Sequence, residues 1–401
     1  MSAREIHVVI VGVSVAGIKV AKTVATLSKA GYPNLRMTLI DRNAYAYHAI
    51  GAPRGIVDQE FGQKLVFPLA SLLSTQEVDP LHPRHTFIQA TLTSVTTNNT
   101  IYLSNGQSLT YDYLVLSTGA RNKQPAHVYA ESIEGAQQEL RRNFDTVARA
   151  KSILIIGGGA VGVEMAGEIG YMYPDKKVTL VHSGSRLLPL NFKPALSDGA
   201  VDKLQRVGVT VVLNEKIAMP AAADTPFDCS IRPLTLFGSS GQEYTSDLQI
   251  LATGTQLNTE YMVPLETALN KPLRDSRGAI KVNNFLQLDA PGFTRVFIPG
   301  DVNNLPMGAK YALKAAEQGA NVAANIIALI KNDKAVLKPW DGSLMSMILV
   351  PIGKNLGVFQ GMGMTLGKSR MGDFMAKNLK GKDYFLSQKQ KDFPPPNKVS
   401  M

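Results

Sequence analysis

The stretch SILIIGGGAVGVEMAGEIG, residues 152–170, runs apolar residues straight into three glycines and then into a helical pattern. In a dinucleotide turn the first glycine makes the bend and the second lets backbone approach a pyrophosphate. The third lets helix and strand pack closely, and the helix N-terminus stabilises negative charge. Gly157, Gly159 and Gly162 fill these three places, and Val161, between the last two, is a further candidate cofactor contact. A lone glycine motif is weak evidence. Here an apolar strand precedes it, a helix follows, and a second strand, KVTLVHS (177–183), comes at the right distance.

A similar unit opens the chain. IHVVIVGVSVAGIKVAK (6–22) reads as a strand over Ile6 to Val11, a turn, and a helix from about Ala16 to Ala30; a second strand, Arg36 to Ile40, ends in Asp41. Gly12 and Gly17 fit the rule, but Ser14 replaces the middle glycine, so a β-carbon must be accommodated there. With a negative φ the serine hydroxyl could itself donate to a phosphate oxygen. Gly12, Val13, Ser14, Val15, Ala16 and Gly17 are the candidate cradle, and Asp41, followed by Arg42, is placed to meet a ribose diol. The alternative is a structural turn with a capping aspartate. Two nucleotide turns in one chain imply two dinucleotides facing each other, one resident and one visiting. A flavin reduced by a nicotinamide needs that arrangement.

The remaining segments repeat this order. Residues 85–112 alternate with a two-residue period around Asn-rich turns and suggest an antiparallel meander. YLVLSTGA (113–120) gives a buried strand ending at Thr118 and Gly119, and a charged helical stretch, QQELRRNFDTVARAK, leads to the second unit. Residues 227–254 alternate again and close on LQILATGT, with Thr253 and Gly254 as counterparts of the first Thr-Gly pair. VFIPGDVNN stops at Gly300 and Asp301, a helix spans Lys310 to Lys331, and KPWDGSLMSMILVPIGKNLGVFQG suggests a pair of strands. A basic Met/Lys/Phe segment and a frayed Pro-rich tail finish the chain. The expected class is α/β, with two Rossmann-like dinucleotide-binding domains, small antiparallel meanders and a C-terminal α+β domain. Residues 1–121 and 256–331 form the first domain, 122–255 the second and 332–401 the third.

At 401 residues the chain exceeds what one core usually serves. Its single cysteine, Cys229, excludes an intrachain disulfide framework, a redox-active cysteine pair and a multi-cysteine metal site, and points to a reducing compartment. No metal is expected. No run approaches the roughly 18 apolar residues of a membrane span. The N-terminus enters a strand without room for a signal sequence, and Ser2 stands where myristoylation needs glycine. A net charge of +10 favours anionic partners, although no nucleic-acid motif is present.

On the runs HVVIVG, LSTG, IIGGGAVGVEMAGEIGYMYPDKKVTLVHS, LATG, FIPGD and LGKSRMGDF, the chain resembles the two-dinucleotide-domain flavoprotein superfamily. That superfamily includes pyridine-nucleotide disulfide reductases, type II NADH dehydrogenases and apoptosis-inducing factor. Within it the likeness is to the ferroptosis-suppressor-like branch of apoptosis-inducing-factor homologues. The resemblance implies FAD in the first domain, NAD(P)H in the second and a quinone-like electron acceptor. It implies that Arg54 in GAPRG contacts FAD, that Leu92 offers backbone to the adenine, and that Asp301 binds the ribityl region. It brings Glu164 close to nicotinamide and flavin, where the carboxylate could orient the carboxamide; the plainer reading is an exposed first-turn glutamate. His48, in YAYHAIGAPRG, falls on a loop near the isoalloxazine and is a candidate proton donor or a structural histidine.

Three departures matter. The cysteine count excludes disulfide reduction. The Gln-rich quinone signature of type II dehydrogenases is incomplete in ALKAAEQG, which keeps Gln318 and has Leu313 at an earlier Gln position. VTLVHS puts His182 where an NADH-specific enzyme usually has an acid, which removes repulsion of a 2′-phosphate that Arg186 could pair with. The competing functions are a quinone reductase, a reductase of a ferredoxin or rubredoxin, and a redox-sensing effector. The segment 367–391 either lies on an anionic membrane surface, making a cytoplasmic protein peripheral, or packs over the flavin with a solvated basic face. Oligomeric state is open.

Overall fold

The computed structural model describes residues 4–32, 34–73, 85–219, 228–306, 310–342 and 347–393. Ser2 and the Pro-rich tail beyond Phe393 lie outside them. The first sheet is parallel, in the order Val296–Phe297, Tyr113–Leu116, Ile6–Val11, Leu35–Asp41, Thr86–Gln89. Its central strand is buried on both faces, with Val8, Val9 and Ile10 at 0% exposure, so it reads as an unbroken apolar run. The second sheet repeats the plan as Val209–Val212, Lys177–Val181, Ser152–Ile156, Leu248–Leu251, again parallel. In both, the Gly-rich turn follows the strand from which the order departs in two directions. That is the switch point where open α/β sheets bind ligands.

The chain passes between the sheets through a two-stranded antiparallel ribbon, Ala120–Arg121 with Gln256–Leu257. The helix Val15–Lys29 packs on the helix Ala312–Lys331, where Gly319 lets the two backbones meet: a β-carbon there would lie 2.7 Å from Ala16 O.

Four expectations need correction. Thr86–Gln89 is a parallel edge strand in register with Thr38 to Asp41, and the meander comprises only Leu92–Val95, Thr100–Leu103 and Ser108–Thr110. A two-residue period reports a half-buried strand of either direction, so it could not separate the two. The strand expected through VFIPGD pairs only at Val296–Phe297, because Ile298 N turns to Leu286 O at 2.7 Å. The last helix begins at Ala312, leaving Lys310 ahead of it. The C-terminal strands are three, Ile348–Ile352, Leu356–Gly361 and Met364–Leu366, joined antiparallel.

Those strands have no separate core. Val350, Ile352 and Val358 share one with Ile153, Ile155, Val163 and Ile169 of the second unit, each such side chain contributing about 1.5–3 kcal/mol by burial. Gly167 admits them: a β-carbon there would meet Ile352 Cα at 2.8 Å. Among the described residues, no helix is long and apolar enough to cross a membrane, and no His/Cys/Asp/Glu group is spaced to hold a metal.

Candidate functional site

Gly12 and Gly157 adopt φ of +89° and +119°, which glycine tolerates and other residues rarely do. A β-carbon at Gly157 would also meet Ala252 O at 2.5 Å, and one at Gly17 or Gly162 would run into the carbonyl of Gly12 or Gly157. The middle position is different. Gly159 has φ −69° and nothing within 4 Å of where a β-carbon would sit, so that space is open. Ser14 occupies the equivalent place with φ −121°, unstrained and exposed at its helix N-terminus. Val13, Val15 and Ala16 form the rest of that turn, and Val161 stands 36% exposed beside the second.

Asp41 clamps the first turn. Its Oδ2 accepts from Val13 N at 2.8 Å and its Oδ1 from Asn43 N at 3.0 Å. Burial raises its pKa, and the hydrogen bonds oppose that rise. Arg42 donates to His127 Nε2 at 3.3 Å and lies near Arg121; burial and then the Arg121 charge lower its pKa. The Tyr47 hydroxyl and Asn43 Oδ1 are buried without hydrogen-bond partners among the described residues. An open cradle, two mutually repelling arginines and orphaned polar atoms beside them fit an anionic dinucleotide.

Leu92 starts the meander just after Ala90, whose N–H reaches Asp41 O at 2.9 Å. Thr118 donates to Asn258 O at 2.7 Å, fixing the return crossing, while Gly119 and Gly254 take φ +63° and +72°. Thr253 is exposed, and its methyl abuts the space at Gly157. Gly300, beside Asp301, packs near Ala16, and burial raises the Asp301 pKa. Lys310 was not anticipated. Its ammonium donates to Asp301 O at 2.9 Å and Asn303 Oδ1 at 2.7 Å, and burial lowers its pKa to about 8.

The second turn's helix, Ala160–Met172, carries Glu164 and Glu168 one turn apart on one face. Glu164 is buried, which excludes the exposed-glutamate reading, and burial raises its pKa against the opposing Lys380 charge. Lys380 Nζ donates to Glu164 Oε1 at 2.5 Å. Glu168 is bidentate with Arg54, at 2.7 Å from Nε and 2.8 Å from Nη2, and accepts from Tyr384 OH at 2.9 Å. Arg54 also donates to Gly381 O and lies over the Tyr384 ring, so its guanidinium joins three parts of the chain.

His48 Nε2 donates to Tyr384 O at 2.7 Å, and burial lowers the His48 pKa to about 4. The contact ties the ring to the C-terminal segment and engages Nε2.

Residues 367–391 are tied to the rest of the chain through Lys380, Gly381 and Tyr384. Their outward side still exposes Met371, Phe374 and Leu379 beside Lys368, Arg370 and Lys377. His182 Nδ1 accepts from Gly158 N at 3.2 Å, which holds the ring against the turn, and burial lowers its pKa. Arg186 is half-buried nearby. Sequence reasoning missed Glu168, Tyr384 and Lys380. The only available signal was two acids spaced i, i+4 on an otherwise apolar helix.

Residues 6–319 match the family described as pyridine nucleotide-disulphide oxidoreductase. Apoptosis-inducing factor homolog A of Dictyostelium discoideum is 28% identical, over 97% of this chain and 92% of its own. Ferroptosis suppressor protein 1 of Homo sapiens is 28% identical, over 95% and 94%. The sulfide:quinone oxidoreductase from Aquifex aeolicus shares the fold, with a TM-score of 0.68 at 18% identity over 96% of this chain and 92% of that one.

Proposed function

The chain belongs to the pyridine nucleotide-disulphide oxidoreductase family, whose cofactors are FAD and NAD(P)H, and on that premise we propose that it passes electrons from NAD(P)H through FAD to a quinone or similar small acceptor. It is an NAD(P)H-dependent flavoprotein oxidoreductase; the acceptor and the residue roles are our reading. FAD is held by Gly12 to Gly17, Asp41, Arg42, Leu92, Thr118, Gly119 and Asp301, in the unit made of residues 1–121 and 256–331. NAD(P)H is held by Gly157, Gly159, Val161, Gly162, His182, Arg186, Thr253 and Gly254, in the unit 122–255. When bound, FAD supplies hydride acceptance and two-electron delivery. The protein contributes placement, exclusion of water and charge.

One observation carries this reading. The helix that starts at the second cradle is ion-paired, through Glu168 and Arg54, to the segment that continues from the first cradle's Asp41. That contact supports two nucleotides converging on one point, with Glu164 beside it to orient the carboxamide. The cysteine count excludes disulfide reduction: Cys229 is alone and buried, its thiol pushed up to about 12, so no dithiol can relay electrons.

The test is an anaerobic stopped-flow trace of the purified protein. Reduction of bound flavin by NADH or NADPH, followed by reoxidation with a quinone, is expected. A folded protein that refuses FAD rejects the proposal, and reoxidation by ferredoxin but not by any quinone rejects the acceptor.

Because His182 stands where an acid would repel a 2′-phosphate, NADPH is expected to serve comparably to NADH. A kcat/KM preference for NADH above about a hundredfold, or about 2.7 kcal/mol, would contradict this.

A further inference from the structure

The turn that carries Asp301 brings four oxygens to one spot: the carbonyls of Gly300, Asp301 and Asn303, and Asn303 Oδ1. Lys310 fills it. Its ammonium donates to Asp301 O at 2.9 Å, to Asn303 Oδ1 at 2.7 Å and to Asn303 O, with Gly300 O next at 3.4 Å. An ammonium has three N–H donors. The three short bonds use them all, so Lys310 has no proton to offer a substrate and serves as a bound cation. The Asp301 carboxylate takes no hydrogen bond among the described residues, which leaves its oxygens open to a ligand.

The far side of the turn is braced by the helix Ala312–Lys331. Gln318, 0% exposed, accepts from Gly300 N and from Asn303 Nδ2, each at 2.8 Å, and Asn303 Nδ2 also donates to Ile298 O at 3.0 Å. The glutamine that the sequence shares with the quinone signature of type II dehydrogenases is thus spent on this turn. These bonds fix the backbone at Gly300, where φ is +91°, but they leave the converging carbonyls to repel one another. A positive charge between them removes that repulsion, and carbonyl oxygens so gathered can replace the water shell of a monovalent cation.

We infer that Gly300, Asp301 and Asn303 form a cradle for a monovalent cation, filled in this chain by its own Lys310, and that this tethered charge positions Asp301 toward the ribityl chain of FAD. This rests on the reading of Asp301 given above. The charged and titratable groups facing Lys310 are Asp301, Arg277 and Asp275, the last two paired with each other at 2.8 Å. Burial is the largest influence on Lys310 and lowers its pKa to about 8. In the flavin-free protein the ammonium is therefore present below about pH 8 and lost above it, so FAD affinity should fall on the alkaline side.

The experiment dilutes the FAD-loaded full chain in series and reads released flavin by its fluorescence, in chloride salts of equal ionic strength. In tetramethylammonium chloride, whose cation is too large for the cradle, Lys310→Ala is expected to bind FAD about tenfold more weakly than the parent. Potassium or ammonium chloride should restore most of that affinity, while the parent stays within about twofold across the three salts. Lys310→Met, which refills the space without charge, should stay weak in every salt. Parent affinity should fall as pH rises from about 7 to about 9.5, and that of Lys310→Met should not; this profile decides the matter if Lys310→Ala fails to fold. A loss in Lys310→Ala that neither cation restores, no loss in tetramethylammonium chloride, or a flat parent profile overturns the assignment. A parent that holds no FAD in any salt overturns the flavin reading of the first turn, a separate failure.

Discussion

Replacing Gly157 with alanine is expected to reduce NAD(P)H oxidation at least about a hundredfold in kcat/KM, about 2.7 kcal/mol of lost stabilisation, while the protein remains yellow. Two effects combine. At φ +119° an alanine is strained, by about 1–3 kcal/mol for a residue forced into a sparsely populated region. The added β-carbon would also sit 2.5 Å from Ala252 O and 2.7 Å from Thr253 Cγ2, so the turn must open and its N–H groups lose their aim. FAD should stay bound, because the first cradle is built from separate strands. Gly159→Ala is the control. Its φ of −69° suits alanine and its surroundings are empty, so the fold should tolerate it and only nucleotide affinity should fall. Thermal unfolding and NADH titration of both variants provide the check; a fully active Gly157→Ala enzyme would refute the cradle.

The second large effect concerns stability. Arg54→Met should lower unfolding free energy by about 3–5 kcal/mol, the usual result of removing one partner from a buried ion pair. The side chains of Arg54 and Glu168 are 5% and 0% exposed, and Arg54 also serves Gly381 O and the face of Tyr384. Its loss leaves a desolvated carboxylate whose remaining partner is a tyrosine hydroxyl. Pairing it with Glu168→Met should recover part of the loss, since two apolar chains need no counter-charge. Urea unfolding at saturating FAD, so that cofactor binding does not distort the comparison, gives the numbers. A single-variant loss below about 1 kcal/mol, or a double variant worse than the single, would show that the pair does not hold the units together.

The cradles were legible because their requirements are local. Gly12, Gly157, Gly17 and Gly162 each answer a backbone need met within a few residues or by the neighbouring strand, and spacing records such needs. Ser14 was readable for the same reason, since only the middle place leaves room for a side chain. Thr86–Gln89 was misassigned because half-burial imposes the same alternation on parallel and antiparallel strands. Met364–Leu366 is short and half-exposed, and too little of it is buried to print a pattern.

The partners of Glu164 and Glu168 were illegible for a stronger reason. Lys380 and Tyr384 each lie 216 residues further on, in a segment whose composition reads equally well as a membrane-facing or a packed surface. His48 looked like a lone histidine because its acceptor, Tyr384 O, is a main-chain atom 336 residues away.

The segment that carries Lys380 and Tyr384 follows every strand of the two parallel sheets in chain order. A chain can complete both sheets before Lys380 and Tyr384 have joined them, so the parallel sheets form without the partners of Glu164 and Glu168. Cleavage ahead of Lys380 would free both acids of the second turn's helix from these partners and leave both glycine turns whole.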